Sequence, residues 1–382
     1  MIMRKDLISL IIASLALSLS AEGKRVTIVN DLPIGRINEI VEIDTLQIPG
    51  IGKTPFQIVD SEGNAVAHQV TYDGKLIFPV TVEAGSCVSY DIVEGRPSVA
   101  ADTLACGAFY PRRKDDLAWE NNRAAYRAYG PALEASGERA FGYDIWTKSV
   151  ESPVVAKRYH DALENGKGYH EDNGDGMDAY TVGPTLGGGT AALIDSFDRI
   201  LFPYCFKSYD ILDNGPLRFT ARLTYSSKAG EDVEEIRLIS LDAGEYLNRT
   251  EIIFQALPDG YSIAPGIVVH SPNPDGYALI AEDGVMAYAD PTDNPDAGNG
   301  IIFVGVVAPE AENLSYRPLG SAEGAAIGHL LARSPYKNAT PYLYYWGSGW
   351  SKGSMPDMVS WIQYLKEFRQ RIDNPLKYSV SD

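Results

Sequence analysis

Two of the five histidines sit in one polar stretch, Lys157 to Tyr180, and each follows a tyrosine: Tyr159-His160 and Tyr169-His170. Such pairs suit proton transfer near neutral pH, so His160, His170, Tyr159 and Tyr169 are candidate catalytic groups. Lys157 and Arg158 precede them and are candidate binders of an anionic group. A second dense run, Arg112 to Tyr129, surrounds Trp119 with charge. Trp119 could stack on a sugar ring while Arg112, Arg113, Lys114 or Arg123 pairs with an anion. Asp115, Glu120 and Asn121 of this run join the candidate substrate-binding set, as does Trp146. The competing structural reading makes the first stretch a solvated loop and the second a strand rim with a core Trp.

Asp172-Asn173-Gly174-Asp175-Gly176-Met177-Asp178 has the oxygen ligands and turn glycines of a calcium loop, without EF-hand spacing. A hard cation, Ca²⁺ or Mg²⁺, is one expectation; His170 with Asp172, Asp175 and Asp178 around Zn²⁺ or Mn²⁺ is another. An acidic turn competes with both. Gly183 to Thr190 is glycine-rich but lacks the Gly-Lys-Ser/Thr of a phosphate-binding loop, so nucleotide binding is disfavoured. No Gly-x-Ser-x-Gly elbow occurs. His68, His270 and His329 lie in or beside apolar runs and are expected to be structural. Trp346 and Trp350, in Tyr342 to Trp350, are expected to pack against the final helix, with a sugar cleft as the lesser alternative.

The elements that must position these groups are mostly strands. Val88, Tyr90 and Ile92 alternate with polar residues, as do Leu217 to Tyr225. Asp73-Gly74 marks a hairpin and Asp60 to Asn64 another turn. Ile236–Leu241, Glu251–Phe254, Tyr277–Ala281 and Ile301–Val307 add strands, the last apolar throughout and so buried on both faces. Asn122 to Tyr129 fits a helix or a strand. Near the end, Ser354 caps and Pro356 starts a helix through Met358, Trp361, Ile362, Leu365 and Phe368. The expected fold is all-β, a large β-sandwich with a short C-terminal helix. Residues 22–382 are expected to form one domain, with an N-terminal β subregion reaching to about residue 100.

The chain has 382 residues, 33 Lys+Arg against 51 Asp+Glu, and a net charge of −18. That acidity disfavours nucleic acid and anionic membranes as partners. Arg4 and Lys5 precede the apolar Leu7 to Leu19, so residues 1–21 read as a secretory signal and the expected location is secreted or periplasmic. No later segment is expected to enter a membrane. Cys87, Cys106 and Cys205 are an odd count, most simply free and mostly buried thiols; an oxidising compartment would permit one disulfide of undetermined pairing.

The segments RRKDDLAWENNRAAYRAYGPAL, DIWTKSVESPVVAKRYH, YHEDNGDGMDAYTVGPTLGGG and YYWGSGWSKG resemble a secreted bacterial family of unknown function from polysaccharide-utilisation systems. The resemblance covers nearly the whole mature chain. It implies a galactose-mutarotase-like β-supersandwich and a relation to ulvan oligosaccharide dehydratases. The implied activity is that of a carbon–oxygen lyase removing water from a non-reducing-end uronic acid. Asn122 and Gly188 stand where the family pattern implies Asp and Cys. Under this reading Arg113, Arg123 or a metal would neutralise the uronate and its developing charge. His160 or Tyr159 would be the base, and His170 or Tyr169 the acid. A mutarotase, epimerase or glycoside hydrolase on the same scaffold, or a non-catalytic glycan-binding protein, are the alternatives. An anionic substrate must find local basic groups, because salt screens distant charge beyond about 8–10 Å.

Overall fold

The computed structural model describes residues 23–95 and 101–382. The expected signal segment lies outside these residues. The largest sheet has eight strands and runs from Ser208–Asn214 through Arg218–Ser226, Glu234–Asp242, Leu247–Gln255, Tyr342–Trp350, Ile302–Val307 and Val285–Asp290 to Tyr277–Ile280. Its neighbouring strands are antiparallel. A five-stranded sheet packs on one of its faces and includes Gly188–Ile194, Ser262–His270 and Ala326–Pro335. Together they form the expected β-sandwich.

Period-two alternation explains how the eight-stranded sheet is covered on both sides. In Ile302–Val307, Ile302, Val304 and Val306 enter the core between the sheets, and Phe303 and Val307 face the other way. Met286 and Tyr288 divide from Val285 and Ala287 in the same manner. The outer face is closed by helix α3, Met358–Asp373, through Trp361, Leu365 and Phe368. Its N-cap is Asp357, whose carboxylate accepts the Ser360 N–H at 2.8 Å. Pro356 therefore precedes the helix, and Ser354 instead contacts the Tyr246 hydroxyl at 2.5 Å. Trp346 lies in the inter-sheet core, and Tyr345 packs against Phe368 of α3.

The N-terminal strands build two sheets of their own around Val26, Ile28, Ile58 and Phe78. Lys377–Ser381 pairs with Lys24–Val29, so the chain end closes the sheet that its beginning opens. The three thiols are free; Cys205 is buried, Cys106 half-buried, and Cys87 exposed rather than buried.

A four-stranded sheet, ordered Asp144–Trp146, Ala125–Ala128, Asp116–Asn121, Ala105–Tyr110, lies across the sandwich. Residues 122–129 thus supply a strand, Ala125–Ala128, not a helix. The inner face carries Leu117, Trp119, Tyr126 and Ile145 into the central core. Asp116, Ala118 and Glu120, being out of phase, point outward, and register places Arg127 opposite Ala118 and Asp144 opposite Arg127. That outer face is covered by helix α2, Val155–Glu164. The sequence reading missed α2 because its short inward stripe, Val155, Tyr159 and Ala162 with buried Arg158, is set among charged residues that read as a polar loop. Its cap also comes from afar. The Glu120 carboxylate accepts the N–H groups of Val154 at 2.9 Å and Val155 at 2.8 Å, satisfying orphan donors at the helix start. The same carboxylate holds buried Lys148 at 2.6 Å.

Glu120→Ala should therefore destabilise the protein by about 3–5 kcal/mol, because it leaves Lys148 buried without its counter-charge. Urea unfolding of the single and of Glu120→Ala/Lys148→Met checks this. The double variant should lose less than the single one; equal or additive losses would contradict the pairing.

Candidate functional site

Arg127 projects from the outer face of the four-stranded sheet into a ring of three carboxylates. It contacts Asp144 closely, Asp178 at 3.1 Å and Asp116 at 3.5 Å. All four side chains are buried. Asp144 also accepts the Trp146 indole N–H at 3.1 Å, and Tyr159 of α2 donates its hydroxyl to Asp116 at 3.0 Å. One guanidinium cannot balance three desolvated carboxylates, so protons must remain in the cluster. Burial pushes Asp116 up to about 6 against the pull of Arg127, the Tyr159 hydroxyl and Arg113. Burial and the neighbouring Asp144 hold Asp178 well above the usual carboxylate range. Burial also keeps Tyr159 and Tyr129 protonated.

This cluster floors a cleft of about 280 Å³ lined by Arg113, Lys114, Asp116, Arg127, Tyr129, Glu138, Arg139, Tyr169, His170 and Gly183, with Leu133 and Ala140. Tyr169 stacks on Trp146 at 4.7 Å, and the Arg113 guanidinium lies 5.3 Å over the Tyr169 ring. Arg113 is in no ion pair among the described residues, and its Nε is buried without a partner. Lys114 pairs with Glu138. His170 stands on the rim, and its Nδ1 lies 3.0 Å from the Asp178 backbone carbonyl. A carbonyl only accepts, so Nδ1 carries the hydrogen and Nε2 of the neutral ring is a base.

The expected site residues divide sharply. His170, Tyr169, Arg113 and Lys114 line the cleft, and Tyr159 and Trp146 support it from behind. His160 is exposed on the outer side of α2 and lines no part of the cleft. Arg123 sits at the far end of its hairpin, over the Tyr246 ring at 5.8 Å. Trp119 is fully buried, bonded to Asn248 at 2.7 Å and stacked on Phe219, so no sugar reaches its faces. Asp115 accepts the Ala132 N–H at 3.0 Å in the first turn of helix α1, Pro131–Ala135. Asn121 braces its turn through the Asp242 and Glu245 carbonyls, each at 2.6 Å. Lys157 pairs with Asp161 on the surface.

The expected metal set does not assemble. Asp172 accepts the N–H groups of Gly174 and Gly176, Asp175 is held by Arg158 at 3.1 Å, and Asp178 belongs to Arg127. Among the described residues no group of three or more His, Cys, Asp or Glu is arranged to hold a metal ion. The glycine-rich segment is a packing device. A Cβ at Gly189 would lie 2.5 Å from Trp346, and one at Gly188 2.5 Å from the Ile145 side chain, so Cys at 188 requires Ile145 to shift. Sequence reasoning left Asp116, Asp144, Tyr129, Glu138 and Arg139 out of the site and counted Arg127 only among the basic groups that would meet an anionic substrate. A charged residue inside a short apolar strand, as in Tyr126-Arg127-Ala128, was the available signal.

A larger cavity of about 490 Å³ opens between the N-terminal strands and the eight-stranded sheet. Its charges neutralise one another: Arg218 pairs with Asp242 and Glu42, and Arg371 with Glu245 and Glu39. Such saturated pairs make a junction, whereas the smaller cleft keeps an untied cation.

Residues 28–378 match the family described as "Domain of unknown function (DUF4861)". The chain belongs to that family. It is 27% identical over 384 residues, 94% of each chain, to "Uncharacterized protein P7" of Formosa agariphila. A glycosyl hydrolase family 38 protein from Enterococcus faecalis matches 94% of this chain at TM-score 0.47 and 7% identity. An alpha-mannosidase from Enterococcus faecalis V583 does so at TM-score 0.45 and 9% identity. The chain spans about half the length of these two structures, 47% and 46%.

Asp116 gives the site a pH signature. Its folded value, about 6, exceeds the unfolded carboxyl value. Its contribution to stability is therefore complete below about pH 4 and is lost as pH rises through 6. Between pH 4 and 7 wild type should lose up to about 3 kcal/mol relative to Asp116→Asn, measured by urea unfolding at each pH. A constant difference would contradict the raised carboxyl.

Proposed function

We propose that the protein is an oligosaccharide dehydratase, a carbon–oxygen lyase that removes water from a non-reducing-end uronic acid. The observation that carries this reading is the coexistence, on one cleft, of an untied guanidinium, a bare imidazole nitrogen and a carboxyl with a raised pKa. Dehydration needs those three parts. The C5 proton beside a carboxylate is weakly acidic, so a cation must hold the uronate and the charge that develops on it. Arg113, with Lys114 beside it, fills that role. His170 Nε2 takes the C5 proton as the C4–O bond breaks and the C4=C5 double bond forms. Asp116, protonated below about pH 6 and lining the same cleft, gives its proton to the departing hydroxide, which leaves as water. The pair then exchanges its proton with solvent, so no other reactant is consumed.

The acidic chain is compatible with an anionic substrate. Arg113, Lys114, Arg127 and Arg139 line the cleft against Asp116 and Glu138. With Asp116 protonated the lining is positive, and distant surface charge is screened within about 8–10 Å. The small cleft favours a chain end over the interior of a polymer. A uronate-ended ulvan fragment fits this chemistry, and the Arg4-Lys5 and Leu7–Leu19 pattern supports action outside the cytoplasm.

Incubation with uronate-ended oligosaccharides should give a product lighter by one water, with the ultraviolet absorbance of an unsaturated uronate. His170→Ala should lower kcat by about 100-fold or more, while His160→Ala leaves it unchanged. Arg113→Ala should raise KM by roughly 10- to 100-fold. Full turnover in His170→Ala, or a product without loss of water, would overturn the assignment.

A further inference from the structure

Behind the cleft, at the ends of Ser262–His270 and Val285–Asp290, lies a second group of buried polar side chains. His270 Nδ1 is 2.6 Å from Asp290 Oδ2, and the pair is almost completely buried. The other oxygen of Asp290 accepts the Thr292 N–H at 2.9 Å. Thr292 has φ 71°, a left-handed conformation that strains a β-branched residue. Tyr180 meets the His270 ring edge-on at 6.0 Å. Three polar atoms here have no partner: His270 Nε2, the Tyr180 hydroxyl and the Thr292 hydroxyl. Buried polar atoms are normally satisfied, so three unsatisfied ones in a group linked through Asp290 and the His270 ring point to a polar ligand.

The segment Asp178–Gly183 separates this group from the cleft. Asp178 turns to Arg127, Gly183 lines the cleft wall, and Tyr180, between them, turns to His270. Burial and then Asp290 keep the Tyr180 phenol protonated, with Asp144 of the cleft floor adding to the effect. The Asp290 carboxylate accepts from His270 Nδ1 and leaves Nε2 free for a partner, and the tyrosine and threonine hydroxyls can donate or accept. Asp290, His270 and Tyr180 thus form a preset receptor for a group that both donates and accepts. A sugar hydroxyl has that character; a cation does not, because Tyr180 and Thr292 bring no negative charge.

We propose that His270, Tyr180 and Thr292, set by Asp290, form a second subsite that binds a hydroxyl of the oligosaccharide bound in the cleft. This inference rests on the proposed carbohydrate activity and names how that site extends. The backbone bond from Asp293 N–H to the Ala179 carbonyl, 2.9 Å, ties the segment after Thr292 to the partition, so the partition and the strained turn must shift together to admit the hydroxyl.

The test uses the whole protein with ¹⁵N-labelled histidine, whose five imidazoles are followed by NMR as a uronate-ended disaccharide is added. His270 is assigned with His270→Gln or, should that variant not fold, by elimination with single replacements of the other four. Disaccharide should move both the His170 and His270 resonances, and Tyr180→Phe should weaken binding by roughly 5- to 10-fold, as expected for one hydrogen bond. Movement of His170 alone would overturn the subsite and leave the cleft assignment standing, with buried water as the occupant. If neither resonance moves, the carbohydrate reading itself fails.

Discussion

One guanidinium shared by three buried carboxylates is the constraint on which the rest of the site depends. Arg127 holds Asp116, Asp144 and Asp178 together, and through Asp178 it ties the Tyr169–Gly183 segment to the small sheet. Such a cluster is poor value as a stabilising device. Desolvation of buried ions commonly cancels their attraction, and a packed apolar set would serve stability as well. The excess of carboxylates also means that protons stay inside the protein near neutral pH. That property has a use in acid–base chemistry and none in folding.

The surroundings serve this arrangement. Period-two alternation in Asp116–Asn121 sends Trp119 inward to the core, where it meets Trp346 and Phe219, and sends Asp116 outward to the cleft. Trp146 lies beneath both Tyr169 and Arg127, so one aromatic plane fixes the cleft wall and its charged floor. Glu120 then anchors the helix that carries Tyr159 to Asp116. The large sheet and α3 are remote from the cleft and provide the rigid body against which the small sheet is held. Rigidity here matters because a raised carboxyl survives only while water is kept from it.

How much of this could be read from the residues follows from the range of the interactions. The β class, the doubly buried strand Ile302–Val307 and the last helix were legible, since each is written in local periodicity. The family was legible because its motifs are long. Within the site, Arg113, Lys114, Tyr169 and His170 were legible as dense polar residues. Asp116 and Arg127 were in view in the same run, but their partners, Asp144 and Asp178, are distant in sequence and only sheet register brings them near. Helix α2 was hidden for the same reason: its cap is the carboxylate of Glu120, 34 residues from Val154. Trp119 and His160 misled because residue type says nothing about which face of a strand or helix they occupy. The acidic loop from Asp172 misled because turn-forming aspartates and cation ligands share one composition.

The claim that the cluster stores a proton is open to direct measurement by infrared difference spectroscopy of the folded protein at neutral pH. A protonated carboxylic acid has a carbonyl stretch well separated from that of a carboxylate. The account predicts such a band in wild type, a weaker one in Asp178→Asn and in Asp116→Asn, and an unchanged one in Asp172→Asn. Absence of the band from wild type, or an undiminished band when Asp178→Asn and Asp116→Asn are combined, would show that these two carboxyls hold no proton and would remove the acid from the proposed chemistry.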